Sequence, residues 1–241
     1  MSIYIQLGAG AGDKDYSADF RDGFSAYVKR RVVNADDKII LVEANFFNLS
    51  ALATAWQDFP TAVILQMAIS AGEKGAVHEL DFFYVQEDAP YFQVSSLKKS
   101  HVQKFYPEAE ILSFSVQAMG INEFLTKECG INPIELLAID IEGMDFLVMH
   151  ELDLSLFEIH LISYEKSHIN FQESLLTRKL KSFGYREGGS GMDPHNSDVL
   201  WVKPNSFYEA LYFTLRHYRH RFWEIQIPLR HYLKLKIFKG G

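Results

Sequence analysis

The sequence predicts one α/β domain whose mainly parallel sheet carries helices on both faces. Two observations predict this fold. Apolar runs of strand length alternate with segments whose apolar residues recur at helical spacing, and the first run ends in a glycine-rich loop. A chain of 241 residues that is 48% hydrophobic is long enough to bury one sizeable core. We therefore expect the main domain over residues 1–205 and a separate C-terminal extension over 206–241.

The predicted strands are six apolar runs, over 3–7, 38–43, 61–69, 135–141, 159–165 and 198–202. Helical spacing follows the first, second and fifth runs, over 20–28, 46–56 and 171–183. Between residues 72 and 110 the pattern is weaker, and we expect a partly irregular excursion with at least one strand near 80–84. Because ligands bind beyond the carboxyl ends of parallel strands, the loops at that edge form the candidate site.

The glycine-rich loop after the first strand is the first candidate for ligand binding. Missing side chains there let a ligand approach the backbone and the amino end of a helix. The dinucleotide-binding pattern requires glycine at position 13, and the P-loop requires Gly-Lys-Ser/Thr, so both NAD and ATP are disfavoured. Glu43 ends the second strand and is suited to accept both hydroxyls of an adenosine ribose. The candidate cofactor-binding residues of the loop are Gly8, Ala9, Gly10, Gly12 and Asp13.

The chain resembles the FkbM family of methyltransferases over most of residues 3–202. The resemblance rests on short stretches at 7–9 with Gly12, 42–45 with Asn48 and Leu52, 68–70, 96–97, 124–125, 139–143 and 163–165. It implies a Rossmann-like class I methyltransferase fold, with seven strands of which the last is antiparallel. It also implies S-adenosyl-methionine as cofactor and O-methylation, often of sugar or polyketide hydroxyls. Further cofactor contacts are then expected at Ala44, Ala68, Ile69 and Asp140.

Three residues depart from the family pattern. Gln6 stands where the family usually has an acid at the end of the first strand, and Ala44 and Ala138 replace the usual proline and lysine. The acid helps to hold the amino-acid end of the cofactor. Its loss is expected either to weaken cofactor binding or to mean that another group has taken over this role. The chain also starts close to its first strand, so we expect any substrate lid to come from elsewhere than an amino-terminal extension.

Asp140 and Glu142 are the leading candidates for catalysis because they follow the fourth predicted strand, on one face if the strand continues. Methyl transfer to a hydroxyl needs alignment and a base. Glu165, at the end of the next strand, is a second candidate. His168 and His195 are further candidates because a neutral imidazole accepts a proton near pH 7. Carboxylates at such an edge bind Mg²⁺ in some proteins, but many such edges hold no metal, and no metal site is predicted.

The net charge of −7 is unevenly distributed, because residues 206–241 carry seven Lys/Arg and two Glu. The acidic remainder argues against general nucleic-acid binding. In the extension, apolar and aromatic residues recur at helical spacing from Phe207 to Phe222 among arginines and histidines. We expect a basic amphipathic helix that either packs on the acidic body or contacts a membrane surface, an anionic partner or another subunit.

The function favoured by the sequence is S-adenosyl-methionine-dependent methylation of a hydroxyl on a saccharide or related small acceptor. Two alternatives stay open: N-methylation of a protein or nucleic acid, and a non-catalytic binding protein with a decayed cofactor site, which Gln6 would explain. No run approaches the roughly 20 apolar residues of a membrane span, and the first strand lies too near Met1 for a signal peptide. A cytoplasmic location is therefore expected.

Overall fold

The computed structural model describes residues 1–12, 22–31, 36–71, 77–166, 172–192 and 198–215. In this part of the chain, ten strands form two sheets. The larger sheet contains β1 (Ile3–Leu7), β2 (Lys38–Glu43), β3 (Ala62–Gln66), β7 (Ile134–Ile139), β8 (Ile159–Glu165), β9 (Arg186–Ser190) and β10 (Asp198–Val202). The smaller sheet contains β4 (Ala68–Ser70), β5 (His78–Tyr84) and β6 (Leu112–Gly120).

The larger sheet has the strand order β3-β2-β1-β7-β8-β10-β9. Its neighbours are parallel except for β10, which is antiparallel to both β8 and β9. The expectation of a mainly parallel seven-stranded sheet whose last strand is antiparallel is therefore confirmed. Strand order reverses at β1, which pairs with β2 on one side and β7 on the other. A ligand crevice is expected beyond the carboxyl ends of these strands.

Helices cover both faces of the larger sheet. Phe24 and Leu52 belong to the apolar cluster on one face, and Phe124, Val148 and Leu176 belong to the cluster on the other. Burying each such side chain contributes about 1.5–3 kcal/mol, so the two clusters hold the layers together. The helices are α1 (Gly23–Val28), α2 (Leu49–Ala55), α3 (Lys99–Phe105), α4 (Ile121–Cys129), α5 (Asp145–Glu151) and α6 (Glu173–Ser182).

The expectation of a single strand over 61–69 is wrong, because the chain changes sheets at Met67. β3 ends at Gln66, and β4 begins at Ala68 and pairs in parallel with β6. The backbone N–H of Met67 donates to the carbonyl oxygen of Glu43 at 3.2 Å, which keeps this point beside β2. An apolar run does not reveal the change, since both strands are apolar.

Five strands and helices have no counterpart among the predicted ones: β6, β9, α3, α4 and α5. β6 and α3 lie within or directly after the excursion where the pattern is weak, and β9 reads Arg-Glu-Gly-Gly-Ser, without a large apolar residue. β9 exists because it pairs with β10, which is buried along its whole length. Pairing of this kind is a tertiary effect that local composition does not carry.

A helical segment over 207–215 begins the C-terminal extension, and residues 216–241 lie outside the described residues. One side of this segment packs on the domain: Phe213 joins an apolar cluster of the larger sheet, and Glu209 Oε1 lies 2.8 Å from His160 Nε2. On the other side Phe207 and Tyr212 are exposed. Among the described residues, no helix combines the length and the apolar character that crossing a membrane requires.

Candidate functional site

A cavity of about 280 Å³ opens beyond the carboxyl ends of β1, β2 and β7. Both sheets line it, because the change of sheet at Met67 brings the smaller sheet over one side of the crevice. The cavity brings together eight of the residues expected to bind cofactor: Gly8, Ala9, Gly10, Glu43, Ala44, Ala68, Ile69 and Asp140. Gly12 does not line it, and Asp13 lies outside the described residues.

The glycine loop approaches the opposite side of the site through its backbone. Gly8 has a φ of +77°, and a Cβ there would overlap the backbone carbonyl of Asp140. Glycine alone combines a readily adopted positive φ with the absence of a Cβ. It therefore lets the backbone of the loop contact the backbone at the end of β7. Gly12 has a different role, since a Cβ on it would lie 3.1 Å from the Cβ of Ala55 on α2. Glycine is therefore needed at position 8 for contact with the end of β7 and at position 12 for packing against α2.

Glu43 is buried at the end of β2, with 6% of its surface exposed. Its Oε2 accepts from the backbone N–H of Gly10 at 2.7 Å, and its Oε1 accepts from the N–H of Asn45 at 2.7 Å. Burial raises the pKa of Glu43 to about 7, and the two backbone hydrogen bonds oppose this increase. The carboxylate thus joins the glycine loop to β2 and keeps lone pairs for hydroxyl donors.

β7 ends at Ile139, two residues before the predicted end of this strand, so Asp140 and Glu142 follow it in a loop and the strand does not continue far enough to place them on one face. Glu142 has a φ of +46°, in the left-handed region that non-glycine residues seldom adopt. Asp145, at the start of α5, holds this turn: its carboxylate oxygens accept from the N–H groups of Ile141 at 3.1 Å and Gly143 at 3.2 Å. Four residues of this loop line the cavity: Asp140, Ile141, Glu142 and Met144.

The excursion binds the same loop from the other side through three side chains. Ser96 Oγ donates to the carbonyl oxygen of Glu142 at 2.6 Å, and Lys98 Nζ donates to that of Gly143 at 2.6 Å. His101 Nε2 lies 2.9 Å from Glu142 Oε2. His101 is a site residue that sequence reasoning missed. The only signal near it is the family-like Ser-Leu pair at 96–97, and nothing in the pattern connects that pair to Glu142.

The acidic side chains around the loop have raised pKa values. Burial, reinforced first by Glu142 and then by other nearby carboxylates, raises the pKa of Asp140 well above its ordinary value. Burial and the charge of Glu165 raise the pKa of Glu142 to about 8, and burial raises that of Asp145 to about 8. Burial lowers the pKa of His101, although Glu165 opposes this change. A carboxyl group whose pKa lies near neutrality is suited to proton transfer at neutral pH.

The remaining catalytic candidates are not gathered in the cavity. Glu165 ends β8 and acts on Asp140 and Glu142 through its charge, but it does not line the cavity. His168 and His195 lie outside the described residues. Within the ranges that the structure describes, no three His, Cys, Asp or Glu side chains are arranged to hold a metal ion.

Gln6 and Asp22 meet on the β1 side of the cavity, which both residues line. Gln6 is 8% exposed at the end of β1, and its Nε2 donates to Asp22 Oδ1 at 3.3 Å. Asp22 is the N-cap of α1 and accepts from the N–H groups of Phe24 and Ser25. The other amide atom, Gln6 Oε1, is buried and has no hydrogen-bond partner among the described residues.

Aromatic side chains border the cavity on the side of the smaller sheet. The ring of Phe92, which lines the cavity, stacks on Phe47 with centroids 4.8 Å apart. Phe47 in turn contacts Phe46 and Tyr84, at 4.0 Å and 5.5 Å between centroids. Phe46 and Phe47 are each about two-fifths exposed, at 42% and 41%. The edge of the cavity therefore presents an accessible aromatic surface.

Comparison with known proteins shows one family. The profile of the methyltransferase FkbM domain matches residues 9–187, which is most of the chain and contains every residue that lines the cavity except Gln6, Gly8, Met192 and Asp198. No curated protein sequence matches.

Among solved structures, this chain is similar to fibrillarins. Aeropyrum pernix fibrillarin, in complex with natively bound S-adenosyl-L-methionine, is 10% identical with a TM-score of 0.40, covering 83% of this chain and 64% of that one. Methanococcus jannaschii fibrillarin, a pre-rRNA processing protein, is 10% identical with a TM-score of 0.38, covering 83% and 65%. A fibrillarin in complex with Nop5p is 12% identical with a TM-score of 0.36, covering 83% and 70%. This chain thus spans slightly less than two thirds of the first two proteins, and similarity at this level carries no conclusion about activity or partners.

Proposed function

We propose that this chain, which belongs to the family of FkbM methyltransferase domains, uses S-adenosyl-methionine to methylate a hydroxyl of a saccharide or related small acceptor. One observation carries the proposal. A single cavity contains a glycine loop, a buried carboxylate at the end of β2 and a carboxyl group of raised pKa after β7. These are the features that an adenosine-containing methyl donor and a hydroxyl acceptor require together.

The residues of the cavity fit the cofactor. Gly8 and Gly10 leave the loop backbone uncovered, and Glu43 keeps acceptor capacity for ribose hydroxyls beyond its two backbone hydrogen bonds. Ala68 and Ile69 give an apolar surface of the kind that an adenine ring packs against. Gln6, which lines the same cavity, has a buried amide oxygen without a hydrogen-bond partner among the described residues, and this oxygen is a further acceptor.

When bound, S-adenosyl-methionine supplies an electrophilic methyl group, and the chain supplies alignment and a proton acceptor. Asp140 is the leading base because it lines the cavity and its raised pKa favours taking a proton from a hydroxyl. Glu142 lies beside it with His101 as its partner. A base of this kind favours a hydroxyl over an amine, because a neutral amine needs less help in losing its proton.

The aromatic surface at Phe47 and Phe92 supports a saccharide or another acceptor with an apolar face, since aromatic rings stack on such faces. The proposal thus includes a saccharide or related small acceptor and a cytoplasmic location.

Two measurements test it. Calorimetric titration with S-adenosyl-homocysteine should give saturable binding, and loss of binding in Glu43→Ala would place the ligand at the described cavity. Methyl-labelled cofactor should then be incubated with neutral saccharides, polyols, amine-containing peptides and RNA, and the methylated atom identified by NMR. Methylated oxygen supports the proposal. Methylated nitrogen would replace it with amine methylation, and absence of cofactor binding would overturn it in favour of a non-catalytic protein.

A further inference from the structure

The orientation of the Gln6 amide follows from its neighbour. The carboxylate of Asp22 can only accept hydrogen bonds, so the amide must turn its Nε2 toward Asp22, as the 3.3 Å contact shows. The carbonyl oxygen of the same amide is then directed away from Asp22. It is buried, belongs to a residue that lines the cavity, and has no partner within the part of the chain that the structure describes. A buried carbonyl oxygen without a donor is costly, so this atom indicates a ligand that donates.

The position of Asp22 is fixed by packing as well as by capping. The next residue is Gly23, where a Cβ would overlap the backbone carbonyl of Met192. The start of α1 therefore lies directly against the segment before β10. Within α1 the carboxylate also accepts from the backbone N–H of Ser25 at 2.9 Å and from its hydroxyl. Asp22 is thus a buried carboxyl group held in place at the wall of the cavity, with 8% of its surface exposed.

We infer that Gln6 Oε1 and the carboxylate of Asp22 together bind the α-ammonium group of the cofactor's amino-acid part. The inference rests on the proposed function. The cofactor's ammonium carries three N–H donors and one positive charge, which match an unpaired carbonyl oxygen beside a buried carboxylate. The negative charge expected at the end of β1 is accordingly supplied from the cap of α1, sixteen positions further along the chain. Gln6 contributes the carbonyl acceptor and bridges to the charge through its Nε2.

Two ligands distinguish binding of the amino-acid part from binding of the adenosine part. S-adenosyl-homocysteine carries the amino-acid part, whereas 5′-methylthioadenosine keeps the adenosine and the sulfur but lacks the ammonium and the carboxylate. Wild-type protein should bind S-adenosyl-homocysteine more tightly than 5′-methylthioadenosine. Asp22→Asn keeps a good N-cap and removes the charge, and Gln6→Met keeps the volume and removes the acceptor. Each should weaken S-adenosyl-homocysteine by about tenfold to a hundredfold and leave 5′-methylthioadenosine within about twofold.

A matched control and an exchange variant complete the experiment. Asp153 also accepts from a backbone N–H and a serine hydroxyl two residues on, but it is exposed and outside the cavity, so Asp153→Asn should change neither affinity. The double variant Gln6→Glu/Asp22→Asn restores one carboxylate and one amide in exchanged places, and should recover most of the lost S-adenosyl-homocysteine affinity.

The outcomes distinguish the two claims. If the wild type binds neither ligand, the proposed function fails and this inference with it. If the wild type binds both ligands equally, or if Asp22→Asn and Gln6→Met weaken both ligands to the same extent, the cofactor site stands and the assignment of the ammonium group is overturned. Unchanged affinities in both single variants would overturn it as well.

Discussion

His101 and Glu142 are 41 residues apart in the chain, and a contact of 2.9 Å joins Nε2 of the histidine to Oε2 of the glutamate. On the other side of the ring, a Cβ on Gly143 would lie 2.6 Å from Nδ1. The imidazole is therefore held between the carboxylate of Glu142 and the backbone of the next residue. His101 does not line the cavity, so it acts on the site by positioning Glu142 and the loop that carries it.

This contact predicts the effect of His101→Phe, which keeps a ring but removes the hydrogen bond. The rate of methyl transfer should fall by roughly tenfold, equivalent to about 1.4 kcal/mol, while affinity for S-adenosyl-homocysteine changes little. Because the imidazole contacts the Glu142 carboxyl group, the pH profile of kcat/KM should also shift. His101→Gln, which retains a hydrogen-bonding group, should recover part of the rate. An unaltered pH profile together with a normal rate would show that the contact has no functional role.

Asp140 and Glu142 are predicted to matter for turnover more than for cofactor binding. If one of them is the general base, Asp140→Asn or Glu142→Gln should lower kcat by about 10² to 10⁴ with S-adenosyl-homocysteine affinity nearly preserved. Single-turnover kinetics with labelled cofactor measures the rate, and calorimetry measures the affinity. Full activity in both variants would move the base to Glu165, His168 or His195.

Glu43 is predicted to make cofactor affinity depend on pH. Its pKa is raised to about 7 by burial, and ribose hydroxyls donate to the ionised form, so binding favours loss of the proton. Affinity for S-adenosyl-homocysteine should therefore increase as the pH rises toward 8 and then level off. Glu43→Gln should remove this dependence and weaken binding by about 1–3 kcal/mol, the cost of losing a charged hydrogen-bond partner. Calorimetry between pH 5.5 and 8.5 measures the pH dependence and the loss of affinity. Equal affinities of the wild type and Glu43→Gln would contradict the assignment of Glu43 to the ribose.

The raised carboxyl pKa values also predict how stability depends on pH. Glu43, Glu142 and Asp145 have folded-state pKa values of about 7, 8 and 8, above those of an unfolded chain. Between the unfolded and folded pKa values the native state binds more protons than the unfolded state. The unfolding free energy of the cofactor-free protein should therefore decrease as the pH rises from about 5 to 8. Urea denaturation across this range measures it, and Glu142→Gln should reduce the slope; stability that rises with pH would refute the prediction.

The extension beyond residue 205 is predicted to stabilise the domain through one side of its first helical segment. Truncation after Lys203 removes Phe213 from its apolar cluster and Glu209 from His160, and should lower the melting temperature. Phe213→Ala should cost about 1–3 kcal/mol, and Tyr212→Ala, at a 61% exposed position, should cost little. If truncation leaves the melting temperature unchanged but abolishes salt-sensitive binding to anionic vesicles, the extension instead serves a membrane contact.

The sequence predicts the parts of the fold that have a local signature. β1 and β2 are buried along almost their whole length, and the sequence therefore shows them as apolar runs. The ends of these two runs locate the glycine loop and Glu43, so both could be predicted as site residues. The pairs formed by His101 with Glu142 and by Gln6 with Asp22 are not predictable in this way. Their members lie on different elements, so only packing brings them together, and periods of 2 or 3.6 residues carry no information about it.

The change of sheet at Met67 gives the cavity two independently paired walls. β4 is hydrogen-bonded to β6 rather than to β2, so the wall at Ala68 and Ile69 belongs to a different ladder from the wall at Gly8. A ligand that fills the cavity contacts both sheets at once and links them. Its binding energy is then added to the cost of separating the two sheets. Hydrogen exchange in the smaller sheet should therefore slow with cofactor concentration, even at amides far from any ligand atom.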